Sequence, residues 1–306
     1  MSTREPQNLP VVVAVDGSDD SRAALEWALA EAVGRGADLR VVHVRQYAPF
    51  LQPAVLTAGP EEPVDDPVIG DVRKELEGRS PLPPLEFITR EGAPAAVLPA
   101  MGAEAQLLVL GSRGRGGFAS LLLGSNGVAA ARDAACPVVV VRAREESAER
   151  IVVGLQPDDP DETTLAFAVE HAARAGAPLR VVAAYPWPVL AWSAYGDFAP
   201  AVQDQEIIER ETLDLARRTV QPFLDSHPEV EVEVNAAPGD AAGRLVDSSE
   251  GAALVVVGRH RRRVTRPAPM LGSVTHAVLL HAKCPVAVVP PTPEEAEETG
   301  ETGATA

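Results

Sequence analysis

The stretch GADLRVV at residues 36–42 returns almost unchanged as GAPLRVV at 176–182. A repeat on this scale constrains the fold more than any local signal, because each copy must be a unit that can be built twice. Other landmarks recur in the same order. Leu108-Val109-Leu110-Gly111 returns as Val255-Val256-Val257-Gly258, and Gly92 returns as Gly239. Gly124-Ser125 returns as Gly272-Ser273, and Cys136-Pro137-Val138 as Cys284-Pro285-Val286. The spacing between partners grows slowly, which means two copies of one fold with a few small insertions. The total of 306 residues agrees, at roughly 150 residues per domain. The boundary is expected in the charged stretch Arg142–Arg150, giving domains at 1–146 and 147–291 and a tail at 292–306.

Within each copy, short apolar runs alternate with helical periodicity. Leu9–Val15 is continuous and rich in β-branched residues, as a strand covered on both faces must be. Ser21–Val33 then spaces Ala24, Leu25, Ala28, Leu29 and Ala32 at helical intervals. The same criteria predict strands over 39–44, 85–89, 106–110 and 138–142, part of a helix over 71–77, and helices over 95–101 and 124–133. In the second copy, strands are predicted over 151–153, 179–184, 230–234, 254–257 and 286–289. A helix over 203–225 is expected to be longer than its counterpart. Such alternation predicts an α/β fold in each half: a parallel sheet with right-handed crossovers and helices on both faces.

Charge narrows the function. A formal net charge of −17 supplies no basic footprint for nucleic acid or an anionic membrane, although a small polyanion can still bind locally. Two cysteines, Cys136 and Cys284, make no disulfide framework. They read as small hydrophobes beside buried strands. The six histidines show no zinc-type spacing. The first ten residues lack a signal-peptide core and nowhere do eighteen apolar residues run together, so the expectation is a soluble cytoplasmic protein. Beyond Pro293 the chain has five glutamates and no large apolar residue, and disorder is expected there.

The segment GSRGRGGFASLLLGSNG, Gly111–Gly127, holds six glycines in seventeen residues and follows a predicted strand. In an open α/β sheet the ligand sits beyond the carboxyl ends of the strands. A loop there that brings its N–H groups onto a phosphate needs residues without Cβ, both for close approach and for positive φ. Gly111, Gly114, Gly116 and Gly117 supply that freedom. Gly124-Ser125 then opens a helix, whose first N–H groups are unpaired and favour an anion. Arg113 and Arg115 lie near enough in sequence to lend charge at the rim.

The spacing G-x2-G-x9-G-S resembles the ATP-binding signature of the universal stress protein family, and a duplicated chain of this length resembles its tandem members. The likeness runs from Leu9 to Pro290. It includes the opening VVVAVDGS, Val11–Ser18, and Cys136-Pro137-Val138-Val139-Val140 before the last strand of the first copy. The resemblance implies two flavodoxin-like, Rossmann-like domains, each a five-stranded sheet of order 3-2-1-4-5. It implies ATP, accompanied by Mg²⁺, between the ends of the first and fourth strands. Asp16 matches the acidic residue placed near ribose, phosphate or metal. Val42 and its neighbours match the strand end whose backbone meets adenine. Gly111, Gly114, Gly124 and Ser125 match the phosphate cradle, and Arg113 and Asn126 beside them are taken as further ATP-binding candidates. The family often has Val and then Ser or Thr after Gly-Ser, and here Asn126 and Gly127 stand instead, so one phosphate-facing hydroxyl is missing.

The second copy departs further, with Gln156 in place of Asp16 and Arg261 in place of the second glycine. It keeps Gly272-Ser273-Val274-Thr275. These, with Gly258 and Arg259 and the nearby run Arg261–Arg263, form a possible second anion site. The expectation is ATP in the first copy and weak or no binding in the second. The tandem resemblance also implies pseudo-dimer packing within the chain and leaves a further homodimer open.

Each feature has a plainer alternative. Asp16 can cap a helix or shape the turn Asp16-Gly17-Ser18, and the arginine run can be a solvated loop. The proline-rich stretches Gln46–Gly70 and Tyr185–Gln203, the second with Trp187, Trp192, Tyr195 and Phe198, can be lids or covers for helix ends. For function, a non-enzymatic ATP-dependent regulator acting through an unidentified protein partner stands first. A slow ATP hydrolase and a nucleotide-free interaction module are the alternatives. No Walker-type Gly-Lys-Ser/Thr occurs, and no general base beyond Asp16 is aimed at the cradle.

Overall fold

The computed structural model describes residues 9–46, 66–114, 123–142, 149–185, 202–259 and 271–292. Arg115, Gly116, Gly117, Arg261–Arg263, the aromatic cluster Trp187–Phe198 and the acidic tail lie outside the described residues. The chain divides into two compact units, Met1–Arg142 and Ala143–Ala306.

The first unit runs β1 (Val11–Ala14), α1 (Asp19–Arg35), β2 (Leu39–Arg45), α2 (Pro67–Leu76), β3 (Leu85–Glu91), α3 (Pro94–Met101), β4 (Leu107–Gly111), α4 (Ser125–Asp133) and β5 (Val138–Val141). Its strands lie in the order β3-β2-β1-β4-β5 and all their pairings are parallel. The central strands are continuously apolar because helices cover both faces: Val11, Val12, Val13, Leu107, Leu108 and Val109 are fully buried. Ala24, Leu25 and Ala28 of α1 close over them, also fully buried. The chain winds outward from β1 to β3 and then crosses to β4 on the other side of β1. That reversal opens a crevice between the carboxyl ends of β1 and β4.

The second unit repeats the plan with β6 (Arg150–Leu155), α5 (Glu162–Ala175), β7 (Leu179–Tyr185), α6 (Val202–Asp225), β8 (Val232–Pro238), α7 (Ala241–Ser248), β9 (Ala252–Gly258), α8 (Ser273–His281) and β10 (Val286–Val289). Its order is β8-β7-β6-β9-β10, again parallel. Helix α6 has 24 residues against 10 in α2, as the sequence predicts. The first helices of the two units end alike, at Gly36 (φ 60°) and Gly176 (φ 58°), where the left-handed conformation suits a residue without Cβ. They begin differently. Ser18 caps a helix of 17 residues and Asp161 a helix of 14, so the second unit has the longer loop after its first strand.

The stretch read from residue 71 as part of a helix belongs to α2, whose start at Pro67 is set by its cap. Asp66 precedes Pro67, whose fixed φ and missing N–H suit the first helical position. The Asp66 carboxylate takes the amides of Val68 (3.0 Å) and Ile69 (3.4 Å) on Oδ1. Its Oδ2 meets Nδ1 of His43 (2.7 Å) and the hydroxyl of Thr89 (2.9 Å). One side chain thus joins α2 to β2 and β3. Burial would raise the Asp66 pKa, but the bonds from His43, Thr89 and the Ile69 amide together hold it below the usual carboxylate value.

A depressed folded pKa stabilises the native state above the ordinary carboxylate pKa, and that contribution is lost as pH falls through the lower folded value. The first unit is therefore expected to lose stability below about pH 4. Asp66→Asn should flatten this acid dependence and cost about 1 kcal/mol at neutral pH through the weakened cap. Urea unfolding between pH 3 and 7 measures both. An unchanged acid slope would remove Asp66 from the account.

Candidate functional site

Gly111 ends β4 at the crevice. A Cβ at this position would stand 2.6 Å from the carbonyl carbon of Asp20 and 2.7 Å from its oxygen. The first turn of α1 therefore crosses the end of β4 in direct backbone contact. Gly114 is a second close approach, because a Cβ there would lie 2.7 Å from Oδ2 of Asp16. Neither glycine has positive φ. The expectation of left-handed backbone is not met at these two positions, and proximity alone explains the missing side chains.

Asp16 shapes the turn that leaves β1. Its Oδ1 accepts from the Ser18 amide (3.0 Å) and the Ser18 hydroxyl (2.6 Å), while Gly17 turns at φ 78°. Ser18, not Asp16, caps α1: its Oγ accepts from the Ser21 amide at 3.2 Å. The other carboxylate oxygen of Asp16 faces Gly114, so the loops after β1 and β4 meet at this side chain.

Arg113 is engaged within the protein. Its Nε donates to Asp20 Oδ2 at 3.0 Å and its terminal nitrogen to Oδ1 at 3.2 Å, a two-point grip on one carboxylate. Ser112, which is buried, adds a hydroxyl bond to the same Oδ2 at 2.7 Å. Burial would push the Asp20 carboxyl up, but the bonds from Arg113 and Ser112 hold it below the usual carboxylate value. The Arg113 guanidinium is correspondingly raised, first by its hydrogen bonds to Asp20.

The two ends of the glycine-rich loop meet. The Gly124 amide donates to the Ser112 carbonyl at 2.7 Å, and Ser112 in turn donates to Val141 at 2.8 Å. Gly124 is the N-cap of α4 and offers no side-chain cap. The amides of Ser125, Asn126 and Gly127 thus open the helix as donors without an intrahelical partner. Ser125 is exposed and Asn126 half-buried at this mouth. Gly127 is confined instead: a Cβ there would press on Leu123 at 3.0 Å.

Val42 lies inside β2. It is fully buried in mid-strand, and its carbonyl accepts from the Val15 amide at 2.8 Å. Alternate residues of a parallel strand face the same neighbour. Val44 is therefore the next residue turned to that edge, past the end of β1 at Ala14. The next main-chain groups turned to that edge thus lie two residues further along β2.

In the second unit Gly258, the counterpart of Gly111, is also closely approached, here by side chains rather than by helix backbone. The carboxylate of Asp161, the cap of α5, lies against the Cα of Gly258, and a Cβ there would also stand 2.9 Å from the Thr164 hydroxyl. Thr275 donates its hydroxyl proton to the Gly258 carbonyl at 2.7 Å, so it serves the strand end rather than an anion. The Arg259 amide bonds Val289 at 2.7 Å, as Ser112 bonds Val141. Gly272 caps α8 without a side-chain bond, and Ser273 and Val274 follow in its first turn. Gln156, in place of Asp16, is exposed.

The family profile described as "Universal stress protein family" matches residues 8–142 and again 148–290. The chain belongs to the universal stress protein family. A curated universal stress protein of Mycobacterium tuberculosis strain H37Rv is 32% identical over 290 residues, 91% of this chain and 96% of that one. A solved protein of unknown function from Pseudomonas aeruginosa PAO1 shares the fold, with a TM-score of 0.65 at 17% identity over 98% of this chain and 99% of its own. A universal stress protein solved in complex with cAMP aligns with 44% of this chain and 96% of its own at 26% identity. Its TM-score of 0.33 is too low to transfer its site.

In this universal stress protein, sequence reasoning did not single out Asp20 or Ser112. Ser18-Asp19-Asp20 carries a legible helix-start signal, a cap followed by acidic residues in the first turn. Nothing local joins Asp20 to Ser112 and Arg113, some ninety residues away. Among the described residues no group of three or more His, Cys, Asp or Glu could hold a metal ion. No helix among them is long and apolar enough to cross a membrane.

The two close approaches differ in what a methyl group would meet. Gly111→Ala strikes the backbone of α1 and is expected to cost about 1–3 kcal/mol. Gly114→Ala meets only the end of the Asp16 side chain and should cost well under that. Urea denaturation of both variants checks the order, and equal losses would refute the helix contact at Gly111.

Proposed function

We propose that this universal stress protein binds ATP in the crevice of its first unit and acts as a nucleotide-dependent regulator of a protein partner rather than as an enzyme. One observation carries the reading: the Gly124 amide closes the glycine-rich loop onto Ser112, next to a helix mouth that no side chain caps. The amides of Ser125, Asn126 and Gly127 would hold phosphate, where unpaired N–H groups and the helix dipole favour negative charge. Gly114 keeps the facing wall low. The Val44 backbone, rather than Val42, would meet the adenine edge.

Two carboxylates, Asp16 and Asp20, flank this cradle. A triphosphate entering beside them needs counter-charge, and Mg²⁺ arriving with the nucleotide supplies it. Asp16 is committed to Ser18 through one oxygen, which suits a positioning role better than that of a general base. The second unit, with Asp161 and Thr164 against Gly258 and the Thr275 proton spent, is read as binding nucleotide weakly or not at all. Occupancy of one unit would order the loops around its crevice and so alter the surface shown to a partner.

Isothermal titration of the purified chain with Mg-ATP tests this. The expected result is about one nucleotide per chain with micromolar affinity, in the range where ordering costs and phosphate contacts offset each other. Gly114→Val, which places a branched side chain against Asp16, should abolish the heat. No binding by the native chain, or equal binding by the variant, would overturn the assignment.

A further inference from the structure

Arg113 is rooted at the helix mouth yet reaches away from it. Its Cα lies 3.9 Å from the point where a Cβ on Gly124 would sit, which places its backbone beside the first turn of α4. Its guanidinium nevertheless grips Asp20 on the opposite wall, at 3.0 and 3.2 Å. A carboxylate presenting two oxygens to a guanidinium fork resembles a phosphate presenting two oxygens to the same fork. From this arrangement we infer that Asp20 is an internal stand-in for phosphate, holding Arg113 at rest until a polyphosphate displaces it, so that Asp20 sets the affinity for the nucleotide. The inference rests on the ATP reading given above and adds the residue that tunes it.

The exchange is feasible because its two partners are held unequally. Arg113 is half exposed, and Asp20 retains only a fifth of its side-chain surface. When the guanidinium leaves, Asp20 keeps the Ser112 hydroxyl at 2.7 Å, so its carboxylate is not left without a donor. Only the long side chain needs to move, from the wall formed by α1 to the mouth of α4. The contact is also a link between elements: in the resting state it ties the first turn of α1 to the end of β4, and the incoming anion unties it. A ligand without phosphates has nothing to offer the guanidinium and gains nothing from the exchange.

The test is a mutant cycle read by titration with Mg-ATP and, separately, with adenosine. Asp20→Asn keeps the shape and an acceptor for Ser112 but removes the charge, and it is expected to tighten ATP roughly two- to fivefold, the range of an exposed ion pair. Adenosine affinity should not change. In an Arg113→Ala background the same substitution should leave ATP affinity unaltered. If Asp20→Asn leaves ATP binding unchanged or weakens it, the inference falls. It falls equally if the gain persists without Arg113, since that would be simple relief of repulsion. Should Asp20→Asn fail to fold, Arg113→Ala alone decides: weaker ATP binding with unchanged adenosine supports the exchange, and unchanged or tighter ATP binding overturns it. Native binding with a null cycle removes this inference only, whereas no ATP binding by any form removes the nucleotide reading beneath it.

Discussion

The backbone of α1 touches the end of β4 at Gly111, with no room for a methyl group between them. Everything polar in the first crevice follows from that contact. It brings Asp16, Ser18 and Asp20, which leave β1 together, against Ser112, Arg113 and Gly114, which leave β4 together. A larger residue at 111 would separate the two sets, and the bonds from Ser112 and Arg113 to Asp20 would lose their reach. The second unit keeps the same constraint at Gly258, where Asp161 and Thr164 of α5 fill the place of a side chain.

Shared backbone geometry does not impose shared chemistry. Both units have the same strand order, the same left-handed glycine at the end of the first helix, and the same amide bond from the residue after the fourth strand to the end of the fifth. They differ in where the first helix begins. In the first unit Ser18 starts the helix early, and the second oxygen of Asp16 faces the loop from β4. In the second, the cap moves to Asp161 and the carboxylate turns onto Gly258. A later helix start thus changes which group packs on the strand-end glycine: the backbone of Asp20 on Gly111 in the first unit, and the side chains of Asp161 and Thr164 on Gly258 in the second.

An acidic chain can hold an anionic ligand because the relevant field is local. The net charge of −17 acts over the whole surface and is screened beyond roughly 8–10 Å in physiological salt. A helix mouth presents fixed N–H dipoles within hydrogen-bonding distance, where screening is least. The Asp20–Arg113 pair lies close to that mouth, with the Arg113 Cα 3.9 Å from the position a Cβ on Gly124 would take.

The repeat, the parallel α/β architecture and the helix that opens at Gly124-Ser125 were legible in the sequence, because each depends on local periodicity or on a landmark that recurs at nearly constant spacing. Apolar spacing marked part of α2, from residue 71, while its start at Pro67 rests on the Asp66 cap. Only the tertiary structure decided that Arg113 meets Asp20, that the Val42 carbonyl is spent on Val15, and that the Thr275 proton is spent on Gly258. Those bonds join residues that lie far apart in the chain and meet only where strand ends converge. A sequence specifies which groups can donate and accept, but the folded register settles which partner each one finds.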